Sequence, residues 1–404
     1  MLFAFQSVIM LMILTRVLGL RDAGIFTIAY ANANLFLTIG KYGIRGFQVS
    51  DVRRQFSFWE YARSRWVTSL AMVIVSAGYV LYTGIKNVYG SDKTLVIFCM
   101  CLMKVVDSAE DVFCGLYQQR NRLDVGAKAM TLRLAATILV FGAGLILLKN
   151  LLAALLIAAV CTTALFLLFI GSSYQEFVQE DKPAKWKNVW LLLRTCFPLF
   201  AGQFLSLYIT NAPKYAIDAL LTDELQACYG FISMPVFVIG LLNGFIFNPM
   251  LYKMSILWED RQIRPFVWKT VRQIGIIALI TLVCIAGAWL LGIPVLSWLY
   301  NTNLAPYKTE LLILLLGGGF LGLSGFMATM NTIIRRQRGL MWGYAAVALL
   351  AFFCSERAVM RFGMLGAAVL YTALMAALCA AFLGLFFAGL GRTRIKIENP
   401  DCIK

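Results

Sequence analysis

"CLMKVVDSAEDVFCGLY", residues 101–117, places Lys104, Asp107, Glu110 and Asp111 inside an apolar run of membrane length. At the centre of a membrane helix each such charge opposes insertion by roughly 2.5–3.5 kcal/mol, so four unpaired ones would oppose it by about 10 kcal/mol. The rest of the chain decides how the stretch is read. Its 404 residues are 61% hydrophobic and only 14% charged, with a mean hydropathy of +0.78. Soluble domains are about 45–50% apolar and about 25% charged. The chain is a polytopic, all-α membrane protein, and residues 101–117 belong to one of its spans.

Apolar runs near membrane length, separated by short polar breaks, number twelve: about 1–19, 24–46, 67–85, 94–117, 125–148, 151–171, 195–217, 227–251, 270–292, 308–330, 339–356 and 363–390. They divide into a six-helix lobe over 1–172 and a second over 195–390, joined by a linker over 173–194 and followed by a tail over 391–404. No break is long enough for a folded soluble domain. The longest, 172–194 and 252–269, fall on one side. Lys and Arg concentrate after even-numbered spans: Arg53, Arg54, Arg63, Arg65, Arg120, Arg122, Lys182, Lys185, Lys187, Lys253, Arg261, Arg264, Lys269, Arg335, Arg336 and Arg338. That bias puts both termini in the cytoplasm. The net charge of +16 follows from this asymmetry and from attraction to anionic lipid, so nucleic acid is not required as a partner. The first span lacks a charged n-region and a small-residue cleavage site, which marks a retained helix rather than a secretory signal.

Several chemistries are set aside by residue type. The ten cysteines contain no CxxC and lie mostly in apolar runs, giving neither a disulfide framework nor a zinc site. There is no histidine, so proton coupling would fall to carboxylates. "LGGGFLGLSG" (316–325) is followed by no Lys-Ser/Thr and lies inside a span, which fits close helix packing rather than a phosphate loop. No nucleotide motif, catalytic constellation or metal ligand set appears.

The chain repeats itself. "DAGIFTIAY" (22–30) and "ELQACYGFIS" (224–233) align Phe26 with Tyr229, and "FWEYARSRW" (58–66) and "LWEDRQIRPFVW" (257–268) align Trp59 with Trp258. Both offsets are near half the chain. With six spans per half the repeats are parallel, an arrangement that commonly places a substrate site between halves near the midplane. Between them "KPAKWKNVWLLLRT" (182–195) sets Trp186 and Trp190 four apart among Lys185, Lys187 and Arg194. It reads as an amphipathic helix on the inner leaflet.

"RVLGLRDAGIFTIAY", "YGIRGFQVSDV", "GLYQQRNRLDVGAKAMTLR", "NAPKYAID" and "FISMPVFVIGLL" resemble Wzx-type polysaccharide (O-antigen-like) flippases. These belong to the multidrug/oligosaccharidyl-lipid/polysaccharide exporter superfamily. The resemblance runs nearly end to end on loose motifs, and the N-terminus departs by lacking the usual short lead before helix 1. It implies two six-helix lobes around a central cavity, and alternating access that moves undecaprenyl-pyrophosphate-linked oligosaccharide across the bacterial inner membrane. It implies no catalytic motif and no cofactor. H+ or Na+ is the candidate coupling ion, and polysaccharide polymerase and chain-length proteins are candidate partners.

Lys104, Asp107 and Asp111, spaced i, i+3, i+7, share a face of span 4. Asp111 and Arg133 lie equally far from the turn near Arg122, so a hairpin sets them at one depth, and an Asp111–Arg133 pair, with Lys104–Asp107 one turn higher, would lower the insertion penalty. Glu110, off that face, is placed near the cytoplasmic end. Two readings stay open, neutralised structural pairs or the polar lining of a cavity. Lys41 and Arg45, i and i+4 in span 2, are like charges that a shared pyrophosphate would reconcile; the alternative is that Arg45 snorkels to the interface. In span 7, Lys214 and Asp218 follow Pro213, either as a cavity pair or as an interface anchor. Arg16 sits near the outer end of span 1, where an interface anchor is the alternative to contact with substrate. The reading is therefore a lipid-linked oligosaccharide flippase with Lys41, Arg45, Arg133, Arg16 and Lys214 as substrate contacts. Lys104, Asp107, Asp111 and Asp218 are polar-cavity or ion-coupling candidates. A multidrug/cation antiporter of the same fold and a membrane glycosyltransferase, polymerase or ligase are the alternatives. A cationic cavity disfavours the first, and short external loops disfavour the second.

Overall fold

A computed structural model describes residues 2–51, 55–85, 89–173, 177, 183–247 and 250–398. The loop cations Arg53, Arg54, Lys86 and Lys182 and the last six residues of the tail lie outside them. Every described element is helical. The chain divides into two compact units, 1–207 and 208–404.

In the first unit the helices are α1 (Leu2–Leu18), α2 (Leu20–Lys41), α3 (Ile44–Ser50), α4 (Phe58–Ile85), α5 (Ser91–Gln119), α6 (Leu123–Leu148) and α7 (Leu151–Ser173). The charged stretch lies on α5, which packs against α2, α3, α4, α6 and α7 and is the central helix of the unit. Its charges therefore face protein on nearly every side. The outer faces of its neighbours are apolar, with Leu139, Leu147 and Val160 at 70–80% exposure, as lipid contact requires.

Two departures from the expected spans matter for the site. Span 3 begins nine residues early. Ser57 and Glu60 form a reciprocal capping box, with Glu60 N–H donating to Ser57 Oγ (3.3 Å) and Ser57 N–H to Glu60 Oε2 (3.0 Å). This start carries Arg65 into the buried helix instead of leaving it in a loop. Span 2 is broken: Tyr42 (φ 49°) and Gly43 (φ 67°) are both left-handed, so α2 stops at Lys41 and α3 restarts at Ile44.

The linker also differs from expectation. Helix α8 (Trp186–Leu220) absorbs its second half, and the division between units falls inside α8. Val189, Leu192, Leu193 and Cys196 are buried against Ile44, Tyr61 and Leu116, while Trp186 and Trp190 remain exposed.

The second unit contains the rest of α8, α9 (Asp223–Phe247), α10 (Leu251–Glu259), α11 (Ile263–Gly287), α12 (Ile293–Tyr300), α13 (Lys308–Ile333) and α14 (Gln337–Glu398). A π turn over Ala288–Gly292 joins α11 to α12. Gly363 (φ 56°) breaks α14 into two spans. Here α13 is central, packed on α9, α11 and α14, and its glycines admit large neighbours. A Cβ on Gly317 would meet Tyr371 at 2.6 Å, on Gly318 Val236 at 2.9 Å, and on Gly319 Thr281. The 316–325 stretch is a packing surface, as the sequence indicated.

Candidate functional site

The site is the polar interior of the first unit, built around α5. An α-helix turns about 100° per residue, so Asp107 and Glu110 lean to one side of α5 and Ser108 and Asp111 to the other. The two sides meet different helices.

On the first side stands Arg133 of α6, 1% exposed. Its Nη2 donates to Asp107 Oδ1 (2.8 Å) and Glu110 Oε2 (2.6 Å), its Nε to Glu110 Oε1 (3.1 Å), and its Nη1 to Thr162 Oγ1 of α7 (2.5 Å). The other oxygen of Asp107 accepts from Lys104 Nζ at 2.8 Å. Two cations thus face two carboxylates in a dry setting, and the geometry is the bidentate one that Arg favours with carboxylates.

On the second side stands Arg65 of α4, 2% exposed. Its Nη2 donates to Asp111 Oδ2 (2.8 Å) and its Nη1 to the Gly40 carbonyl (2.6 Å). Thr68 Oγ1 donates to the same carbonyl at 2.7 Å, and Ser69 and Ser108 pair at 2.9 Å. Gly40 lies just before the break in span 2, where a continuous helix would have satisfied its carbonyl; Arg65 and Thr68 replace the missing amide. Asp111 Oδ1 also faces Arg45 Nη1 at 3.6 Å, and Arg45 Nη2 donates to Gln118 Oε1 at 3.1 Å. Tyr42 stacks on Phe200 of α8, with centroids 4.6 Å apart, which fixes the break.

Several sequence expectations are corrected by this geometry. Asp111 does not pair with Arg133; Arg65 takes it. Glu110 is not at a helix end but buried on Arg133. Lys41 and Arg45 do not share one helix face, because the left-handed residues between them separate α2 from α3. Lys104 does pair with Asp107, as expected. Arg16 is exposed in the last turn of α1, and Lys214 and Asp218 are half-buried in the second unit on α8. Arg65, Gln6, Thr162 and Gln118 were missed. The capping box at Ser57–Glu60 and the polar series Arg65, Thr68, Ser69, Ser76 were the available signals.

Across the whole network four cations, Lys104, Arg133, Arg65 and Arg45, meet three carboxylates. The surplus sits at Arg45, whose side chain is 36% exposed while that of Arg65 is 3% exposed. The interior can therefore hold an anion at Arg45 without unpairing a buried carboxylate. Among the described residues no cluster of metal-binding side chains occurs.

Comparison with known proteins agrees with this architecture. The fold is similar to that of a multidrug resistance MATE family transporter of the MOP superfamily, solved in an inward-facing conformation (TM-score 0.72, 13% identity, covering 98% of this chain and 96% of that one). It also matches the lipid II flippase MurJ in an inward closed conformation (0.70, 13%, 99% and 91%). A further match is a MOP superfamily transporter from Pyrococcus furiosus described as having a binding pocket of reversed polarity (0.51, 12%, 98% and 96%). No individually curated protein sequence matches significantly. The family model for polysaccharide biosynthesis proteins matches residues 3–254, more than half of the chain. The chain belongs to the polysaccharide biosynthesis protein family of multi-pass membrane proteins.

Proposed function

We propose that this protein is a flippase that carries undecaprenyl-pyrophosphate-linked oligosaccharide across the bacterial inner membrane by alternating access, supplying polysaccharide biosynthesis. The observation that carries this reading is the cation surplus at Arg45. Arg45 is held loosely, at 3.6 Å from Asp111, while Arg65 grips the same carboxylate at 2.8 Å. A pyrophosphate offers several acceptor oxygens for charge-assisted bonds. It would draw Arg45 off Asp111, and Arg65 would keep Asp111 paired. Lys41, at the other end of the break, is the second contact. Arg133 is committed to Asp107 and Glu110 and is not assigned to substrate. Arg16 and Lys214 stay as candidate contacts for other parts of the cargo. No enzymatic step is proposed.

The test is flipping of a lipid-linked oligosaccharide in reconstituted vesicles, normalised to protein. Arg45→Gln is expected to leave unfolding temperature nearly unchanged and to reduce turnover at least about tenfold, the equivalent of about 1.4 kcal/mol of lost interaction. Wild-type turnover in Arg45→Gln would end this reading. The likeness to MATE transporters favours a second, an ion-coupled drug antiporter. Surplus positive charge repels cationic drugs, so the same vesicles should show no ion-driven drug uptake.

A further inference from the structure

Lys104 is fully buried, and groups from three helices converge on its ammonium. Asp107 Oδ2 of α5 accepts from Nζ at 2.8 Å and Gln6 Oε1 of α1 at 3.5 Å. The ring of Tyr30 on α2 lies with its centroid 4.9 Å away. An ordinary i, i+3 ion pair on one helix needs only the carboxylate. A carboxylate oxygen, an amide oxygen and an aromatic face together make the surroundings in which a protein holds a dehydrated monovalent cation. The other oxygen of Asp107 is taken by Arg133, and Glu110 is taken by Arg133 through both oxygens. Charge on this side of α5 is therefore complete without any ion from solution.

We propose that Gln6, Tyr30 and Asp107 form a monovalent-cation site in the first unit, and that the chain fills it with its own Lys104 ammonium. The ammonium stands where Na+ or K+ would otherwise bind. Because a four-carbon stem tethers it, it cannot leave during a transport cycle. Asp107 then takes no part in ion exchange, and any coupling ion acts through other groups. This goes beyond the flippase assignment and does not depend on it, since the site can be read without cargo.

The test uses the purified full-length protein in detergent, unfolded in NaCl, KCl or choline chloride at equal ionic strength. Lys104→Ala removes the ammonium and leaves its space; Lys104→Met fills that space with an apolar chain. Wild type is expected to unfold identically in the three salts. Lys104→Ala should gain about tenfold in its folded-to-unfolded ratio when Na+ or K+ at about ten times its Kd replaces choline, and Lys104→Met should gain nothing. Equal behaviour of the two variants would overturn the proposal. Wild type decides it independently if Lys104→Ala fails to fold: stabilisation by Na+ or K+ that Asp107→Asn removes would show a free ion at Asp107 and overturn it as well.

Discussion

Glu110 and Asp111 are adjacent, lie within about 1.5 Å of the same depth on their helix, and bind different arginines on different helices. A hairpin argument from sequence ranks depth well and azimuth poorly, which is why it reached Arg133 correctly and gave it the wrong carboxylate. Depth follows from counting residues from a turn, whereas azimuth between neighbours depends on which face each helix turns to the other. Breaking a buried pair typically costs about 3–5 kcal/mol because the abandoned charge stays buried. Arg133→Gln should therefore destabilise the protein by about that much, and Arg133→Gln with Glu110→Gln should be more stable than Arg133→Gln alone. Asp111→Asn should couple in the same manner to Arg65→Gln and add independently to Arg133→Gln. Unfolding of the single and double variants in detergent checks both; coupling between Asp111 and Arg133 would contradict the observed pairing.

At the scale of elements, the decisive feature is the break between α2 and α3; the expected span ran through it, although "GKYGIRG" (40–46) sets two cations among three glycines there, because membrane length alone does not show where a helix stops and restarts. Pro213 lies within span 7, where a proline permits a bend, and α8 continues through it. The break depends on Gly43, whose φ of 67° is left-handed and whose added Cβ would lie 3.0 Å from Leu199 Cβ. Gly43→Ala should therefore destabilise by about 1 kcal/mol or more and loosen the stacking of Tyr42 on Phe200. A fall in transport per molecule should accompany it, since Lys41 and Arg45 lie on either side. Close packing nearby has a mirror in the second unit. A Cβ on Gly40 would sit 2.6 Å from Ser108 Oγ and 2.9 Å from Met72 Sδ. In the repeat, the position aligned with Gly40 is Asn243, and there the small residue is on the central helix, Gly322, whose Cβ would meet Asn243. Each unit keeps one small residue at this crossing but places it on the opposite helix. Gly40→Ala should cost about 1–3 kcal/mol through overpacking, and adding Ser108→Gly should recover part of that in the same unfolding assay. No recovery would mean the crossing is not the source of the cost.

For the whole molecule, twelve spans and a duplicated plan were legible because membrane thickness sets run length, and a polar backbone in lipid leaves helices as the available structure. Among the described residues, nine helices qualify as spans by length and apolarity alone, α14 among them as a merged pair; α5 is set apart by its charges and α1 by its shortness. Those same charges give the first unit a paired, charged interior, where the corresponding helix of the second unit, α13, carries glycines that admit its neighbours. Orientation rests on a separate signal, the Lys and Arg of short loops, which are retained on the cytoplasmic side during insertion. Spans 5 and 6 are separated by Lys149 and Asn150, and spans 10 and 11 by Arg335, Arg336 and Arg338. The arginine-rich turn should face the cytoplasm and the Lys149 turn the outside. A fluorescent protein that matures only in the cytoplasm should then glow when fused after Lys404 or inserted at Arg336. A phosphatase active only outside should work when fused after Asn150 and stay silent after Lys404. The opposite pattern at all sites would invert the molecule. A mixed pattern, with Lys404 and Asn150 on the same side, would instead contradict the span count between them.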